Sequence, residues 1–238
     1  MKVNTVVVKE SCVVQGSFYL QKEERSASMQ KLTEKENVLR TKVTATADGS
    51  RTYSITKSIE GAKGCRGVFI LLYPTRTLDN LHVEDSTNVH ILNHLQELGL
   101  GEYVVVNLFS TVTQSKLSTK GLTLDTDNLN YIKDKVFKGL DENKDKVIVA
   151  WGNSHQTSKV VNQAKLEILK IWTETHKEGK LYQLTADGLE KSNTGVHPLY
   201  MGIRFSNAKW SLAEYPQESA RKALEEPLKQ NKEQNCNS

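Results

Sequence analysis

The sequence has little cysteine. Its three cysteines, Cys12, Cys65 and Cys236, are far apart in the chain. An odd and widely spaced set does not make a disulfide framework, and there is no Cys-x-x-Cys pair to hold zinc. This usage is typical of a protein that folds in a reducing compartment, so we expect a cytoplasmic protein.

Long apolar runs are also missing. No stretch approaches the roughly 20 apolar residues that cross a bilayer. The N-terminal segment MKVNTVVVKESCVV has no basic region followed by a long apolar region and a cleavage site, so it predicts a strand rather than a signal peptide. We therefore expect no membrane partner. A formal net charge of +4 is too small to indicate nucleic acid by itself.

Two familiar ligand motifs are incomplete. The segment GNSHQTSK (152–159) follows an apolar run as a phosphate loop would, but it lacks the Gly-Lys-Ser/Thr ending, which excludes a nucleoside triphosphate site. His90 and His94 have metal-compatible spacing on a helix, yet no glutamate follows the first histidine and no third ligand is evident. We interpret them as an exposed helix face, and we expect neither a metal nor an organic cofactor.

The chain divides into three regions by composition. Residues 1–50 form an N-terminal extension with short strands (6–8 and 38–46) around a charged segment, QKEERSASMQKLTEKEN. Residues 51–215 have the apolar content of one α/β domain. Residues 216–238 are polar and are predicted to be a helix that fades into a disordered tail.

Within residues 51–215, apolar runs alternate with amphipathic segments. Strands are predicted at RTYSITK (51–57), VFILL (68–72), YVVVNL (103–108), VIVAW (147–151) and LYQL (181–184). Helices are predicted at 85–98, at 127–140 with Asp127 as N-cap, and at 158–176. This alternation predicts a three-layer α/β/α sandwich around a central, mostly parallel sheet of about four strands.

Ligands of such sheets bind beyond the carboxyl ends of the strands. The four segments that follow the apolar runs begin at Tyr73, Asn107, Trp151 and Thr194, and each carries polar or turn-forming residues. They are therefore expected to converge on one edge. Each residue also has a plainer interpretation: Asn107 as a strand-end cap, His155 as a helix cap or surface residue, and His197 as an ordinary loop histidine.

These four segments resemble the uracil-DNA glycosylase superfamily in order and in approximate spacing. VFILLYPTRT stands where the superfamily has GQDPYH or GINPG, and YVVVNLFSTV resembles VFLLN. VIVAWGNSHQ resembles LLWGSYAQ, and TGVHPLYMGIRFSNAKW resembles HPSPLS followed by a Gly/Arg/Phe-Ser stretch. The same core, residues 51–215, also looks like an uncharacterised bacterial domain family whose first motif usually reads LNPSTAD.

The resemblance implies an enzyme of DNA repair that flips uracil out of DNA and hydrolyses its N-glycosidic bond. Its partner would be uracil-containing DNA, single- or double-stranded, and a proteinaceous glycosylase inhibitor is a further candidate partner. Two alternatives stay open. One is a catalytically silent protein that binds a base, a nucleotide or single-stranded DNA on the same fold. The other is a hydrolase of nucleosides or modified nucleotides.

The resemblance also assigns roles to individual residues. Asn107 would read the base edge, and His197 would stabilise the negative charge on the leaving base. The residue before Pro74 is usually Asp, Asn or Glu in the superfamily and is Tyr73 here, which leaves water activation to Asp79, or next to Glu84 or Asp85. The full expected site is catalytic His197, Tyr73 and Asp79; base-binding Asn107, Pro74, Leu72 and Phe109; and DNA-binding Leu199, Tyr200, Met201, Arg204, Lys209, Lys116, Ser154 and His155.

Overall fold

The computed structural model describes residues 34–76, 78, 83–190 and 192–236. Seven strands and five helices occur in this part of the chain, and all of them lie after residue 36. In chain order they are β1 (Leu39–Ala45), β2 (Thr52–Ile59), β3 (Cys65–Leu71), α1 (Ser86–His94), β4 (Leu100–Asn107), α2 (Thr126–Tyr131), β5 (Asp145–Val149), α3 (Lys159–Thr175), β6 (Leu181–Ala186), α4 (Pro198–Arg204), β7 (Trp210–Glu214) and α5 (Gln217–Cys236).

All seven strands form one sheet in the order β1-β2-β4-β3-β5-β6-β7. The four central strands, β4, β3, β5 and β6, are parallel to one another, and β1, β2 and β7 add antiparallel pairs at the two sides. The predicted α/β/α sandwich with parallel neighbours VFILL and YVVVNL is confirmed. The antiparallel flanks make the sheet wider than the expected four strands.

The strand order explains which face each helix covers. From β3 the chain moves to β4 on one side, and from β4 it returns across β3 to β5 on the other. Because crossovers between parallel strands are right-handed, this reversal puts α1 on one face and α2 and α3 on the opposite face. Core residues follow the same division: Leu129, Val161 and Ala220 belong to the cluster under α2, α3 and α5, whereas Ile91 and Met201 belong to the cluster under α1 and α4.

Two boundaries differ from the predicted ones. β1 pairs along its length with β2, so the sheet begins before residue 51. The helix predicted over 127–140 is capped by Asp125 rather than Asp127, and it continues from α2 as a π-helical turn (Ile132–Val136) and a 3-10 turn (Phe137–Gly139). Asp125 is the better cap because it also accepts hydrogen bonds from the backbone N and Oγ of Ser110, at 2.8 and 2.7 Å.

The C-terminal region forms the predicted helix, α5, over its described length. It joins the core through Ala220, which is buried against α3. The predicted run 6–8 and residues 21–33 of the charged N-terminal segment lie outside the described residues. No helix in the described part of the chain is both long and apolar enough to cross a membrane.

Candidate functional site

The ends of β3, β4 and β5 form the candidate site. The chain leaves β3 toward one face of the sheet and leaves β4 and β5 toward the other, and sheets of this kind bind their ligands at such a switch point. Backbone hydrogen bonds hold two of the predicted segments side by side there: Phe109 N donates to Leu72 O (3.2 Å), and Thr113 N donates to Pro74 O (2.9 Å).

His197 is fixed at the start of α4. It is the N-cap residue, and its Nδ1 accepts a hydrogen bond from Leu199 N at 3.2 Å. Burial lowers the pKa of the imidazole to about 4, against the opposing influence of the Asp85 carboxylate. The ring is therefore neutral at physiological pH. With Nδ1 occupied as an acceptor, the proton is assigned to Nε2, which becomes a hydrogen-bond donor.

Gly152 brings the third predicted segment against the fourth. Its φ of +71° favours glycine, and a Cβ at this position would lie 3.2 Å from His197 Cβ. Its backbone N donates to Gly195 O at 2.7 Å. A side chain at residue 152 would therefore both strain the turn and displace His197.

Asn107 ends β4 with its side chain buried. Alternation along the strand puts it on the same face as Tyr103 and Val105, which is the face that α1 and α4 cover. The strand-end capping is done by Asn128, whose Nδ2 donates to Asn107 O at 2.7 Å. The side-chain Oδ1 of Asn107 accepts no hydrogen bond from the described residues. A buried amide oxygen without a partner costs about 1–3 kcal/mol, so this atom is suited to receive a ligand donor.

Among the described carboxylates, Asp85 is the one whose charge acts on the pKa of His197. It caps α1, where Oδ1 accepts from Asn88 N at 2.8 Å, and its Oδ2 has a weaker contact with Thr75 Oγ1 at 3.3 Å. Its negative charge acts to raise the pKa of His197 and also that of Tyr103. Asp79, the carboxylate that the sequence favoured, lies outside the described residues.

Glu84 has a structural role. Lys57 is fully buried and contacts Glu84 Oε1, while Arg76 Nη1 donates to Glu84 Oε2 at 3.3 Å. Lys57 also donates to Thr41 Oγ1 at 2.8 Å. A buried cation is tolerated only when it is paired. Glu84 neutralises Lys57 and Arg76, and both of its carboxylate oxygens are used in these contacts.

The other residues of the predicted base pocket are apolar walls. Leu72 and Phe109 are buried members of the core under α2, α3 and α5, and Tyr73 packs partly buried against the same cluster. Pro74 is buried beside them. Leu72, Phe109 and Tyr73 thus lie toward the opposite face from Asn107, and the fold does not bring these predicted site residues together with it.

The predicted DNA-contacting loop is the helix α4. Met201 is fully buried in the core, so its assignment as a DNA contact is wrong. The helix repeat turns this residue inward and exposes Leu199, Tyr200 and Ile203 instead, the last at 66 % exposure. Ile203 was missed, although the i, i+4 spacing from Leu199 was a usable signal. Arg204, Lys209, Lys116 and Ser154 are all exposed.

His155 stands at a tight turn of the same edge. Its φ is +60°, unusual for a residue with a side chain. Burial, followed by the positive charges of Lys116 and Lys165, lowers the pKa of this histidine. Lys116 and Lys165 therefore make the surroundings of His155 at the end of β5 positively charged.

The prediction that His90 and His94 form an exposed face is wrong for His94. Its ring is buried and stacks on Trp210 with centroids 3.7 Å apart. His90 packs so closely on Gly202 that a Cβ there would lie 2.2 Å from the imidazole. Both histidines thus join α1 to neighbouring elements. In the described part of the chain, no group of three or more His, Cys, Asp or Glu side chains is arranged to hold a metal.

The fold is a three-layer α/β/α sandwich, and the candidate site lies at the carboxyl ends of its parallel strands. The chain belongs to the family described as "Protein of unknown function (DUF1643)", whose model matches residues 53–199. The match runs from β2 to the beginning of α4 and so includes Asn107, Asp85 and His197. No curated protein matches the chain.

Proposed function

We propose that the protein is a DNA glycosylase that excises uracil by hydrolysis of the N-glycosidic bond. The observation that carries this proposal is His197: a neutral imidazole whose Nδ1 accepts a hydrogen bond from Leu199 N, which leaves Nε2–H as a donor. Such a donor is preorganised for negative charge that develops on a leaving base.

The reaction divides between two sides of the candidate site. The bond between C1′ and the base nitrogen breaks, and the electron pair leaves with the base as an anion that His197 Nε2–H stabilises. The sugar becomes a cation, to which water adds at C1′. Asp85 Oδ2, held only by the 3.3 Å contact with Thr75, positions that water and accepts its proton. The uracil anion takes up the proton that Asp85 releases, and the products are free uracil and an abasic site.

Base selection is assigned to Asn107. Its side-chain amide offers both a donor and an acceptor, which matches the O4 and N3–H of uracil. The unpartnered Oδ1 is the acceptor for N3–H. Leu72 and Phe109 are buried in the core on the opposite face of the sheet, so they support the end of β4 from below rather than contact the base.

The experiment is single-turnover cleavage of a uracil-containing oligonucleotide, followed by alkali to break abasic sites. We expect His197→Ala to lower the cleavage rate by about 10²–10³, because the charge it stabilises exists mainly in the transition state. DNA affinity should change little. Since the pKa of His197 is about 4, the wild-type rate should show no loss from titration of this group between pH 8 and pH 5.

Two further variants separate chemistry from structure. His197→Asn keeps a side chain that can cap α4 but removes the imidazole donor, so it should stay slow while folding normally. His176→Gln changes a histidine at the far end of α3 and should cleave like the wild type. Full activity in His197→Asn would reject the donor role.

The alternative is a catalytically silent protein that binds a base, nucleotide or single strand at the same site. Tyr73 favours it, since this residue replaces the acid or amide expected before Pro74. Retention of the uracil oligonucleotide without any alkali-sensitive product would support binding alone.

A further inference from the structure

Lys165 is a buried cation on the inner side of α3. The residue is 3 % exposed. Its Nζ donates to the carbonyl of Gly152 at 3.4 Å, and it lies 5.7 Å from the centroid of the Trp151 ring. Both contacts are weak for a full positive charge: one is a long hydrogen bond to a neutral acceptor and the other a cation–π contact.

No carboxylate balances this charge within the described residues. Charged side chains are almost never fully buried unless they are paired. Lys57, which is also buried, follows that rule through Glu84. Burial alone lowers the pKa of Lys165 to about 8, which still leaves the ammonium mostly protonated at neutral pH.

Lys165 lines a cavity of about 560 Å³ between α3, α5 and the end of β5. This is the volume range of small-molecule sites. The rings of Trp151 and Tyr215 and the side chains of Ala223 and Leu224 make much of its wall apolar.

Asn162, one helical turn before Lys165, is a second unsatisfied group in the same wall. It is 1 % exposed, its Nδ2 donates to Gln156 O at 2.7 Å, and its Oδ1 accepts no hydrogen bond from the described residues. The cavity therefore presents one cation and one free acceptor, set against apolar walls.

We propose that this cavity binds a small organic anion: a carboxylate or phosphate group on an apolar, ring-sized body that also carries a hydrogen-bond donor. The anionic group pairs with Lys165 Nζ, the donor meets Asn162 Oδ1, and the body packs between Trp151 and Tyr215. This site lies on the face of the sheet opposite to Asn107 and does not depend on the proposed glycosylase activity.

The remaining titratable groups around the cavity do not compete for the anion. Tyr215 has its pKa raised by burial, and its hydroxyl donates to Asn193 O at 2.9 Å. His155 has its pKa lowered and is neutral at physiological pH. On α5, Arg221 Nη2 donates hydrogen bonds to Leu169 O and Thr173 Oγ1 on α3. Lys116 is exposed at the surface near His155 and adds positive charge.

Calorimetric titration with benzoate and with its neutral counterpart benzamide tests the proposal. We expect the full chain to bind benzoate at least about tenfold more tightly than benzamide, a preference of about 1.4 kcal/mol. The preference should decline as the pH rises through about 8, where Lys165 loses its proton. Lys165→Met should abolish the preference. Lys170→Met, an exposed lysine on the same helix, should preserve it.

A second variant covers the case in which Lys165→Met folds poorly. Ala223→Phe fills the cavity from α5 and leaves Lys165 in place, so it should weaken benzoate binding at least about tenfold. The proposal is overturned if benzoate shows no saturable binding, if benzamide binds equally well, or if Lys165→Met and Ala223→Phe both bind benzoate like the wild type.

Discussion

At His197 one side chain serves two purposes that depend on each other. Nδ1 caps α4, and that bond assigns the proton to Nε2. Proline at the first helical position and a histidine cap are recognisable in the sequence His197-Pro198, but the neutral state of the ring is not. The pKa depends on burial between α4, Gly152 and the region of Asp85, which only the folded chain brings together.

Asn107 gives a test at the scale of a single atom. In Asn107→Asp the amide nitrogen becomes an oxygen, so a donor is exchanged for an acceptor. We expect uracil excision to fall by at least about tenfold, roughly the loss of one hydrogen bond to a buried group, and cytosine to become a better substrate relative to uracil. Competitive cleavage of uracil- and cytosine-containing oligonucleotides measures both effects.

The matched control is Asn130→Asp, on the exposed side of α2, which should leave rate and selectivity unchanged. If Asn107→Asp behaves in the same way as this control, Asn107 does not read the base.

Among the elements, α4 was the least predictable. Seven residues with one proline give too short a pattern to separate a helix from a loop, and the resemblance favoured a loop. The buried strands β3, β4 and β5 were predictable because a continuous apolar run of this length requires cover on both faces. Lys165 was missed for the opposite reason: it lies among Val161, Ala164 and Ile168 on the buried side of α3, where a lysine is not expected.

The exposed side of α4 gives a prediction for the helix as a whole. If Tyr200 and Ile203 press into the gap left by a flipped base, the double variant Tyr200→Ala/Ile203→Ala should cleave duplex substrate about tenfold more slowly. On single-stranded substrate it should be nearly normal, because no stack has to be held open there. Parallel single-turnover assays on the two substrates give the ratio.

Met201 provides the contrast within the same helix. It is fully buried, so Met201→Ala should destabilise the fold by about 2–5 kcal/mol in denaturant titrations. The exposed double variant should unfold close to the wild-type midpoint. If the double variant loses the same factor in cleavage rate on duplex and on single-stranded substrate, α4 does not act as a wedge in the duplex.

For the whole molecule, the unpaired charge of Lys165 is a cost to stability. Replacing a buried ion by an apolar side chain of similar size is often stabilising, so Lys165→Met should raise the free energy of unfolding by about 1–3 kcal/mol at pH 7. The folded pKa of about 8 lies below the ordinary 10.5, so the unfolded chain binds more protons between these values. Wild-type stability therefore gains from this group as the pH rises through that window.

The difference between Lys165→Met and the wild type should consequently shrink from pH 7 toward pH 10. Urea titrations of both proteins at these two pH values measure it, and Lys170→Met again serves as the exposed control. If Lys165→Met is less stable than the wild type at pH 7, the charge of Lys165 is compensated within the folded protein.

The strand order also has a consequence for how the chain acquires its structure. Both partners of β3 in the sheet, β4 and β5, follow it in the sequence. During synthesis β3, a strand with apolar side chains, therefore leaves the ribosome with the backbone groups of both edges unpaired. β4 must later take its place between β2 and β3. Pairings of this kind form slowly, because the chain loses conformational entropy in bringing distant segments together before their contacts stabilise it. The interval before β4 arrives is the period in which a nascent chain is most open to aggregation and to chaperones.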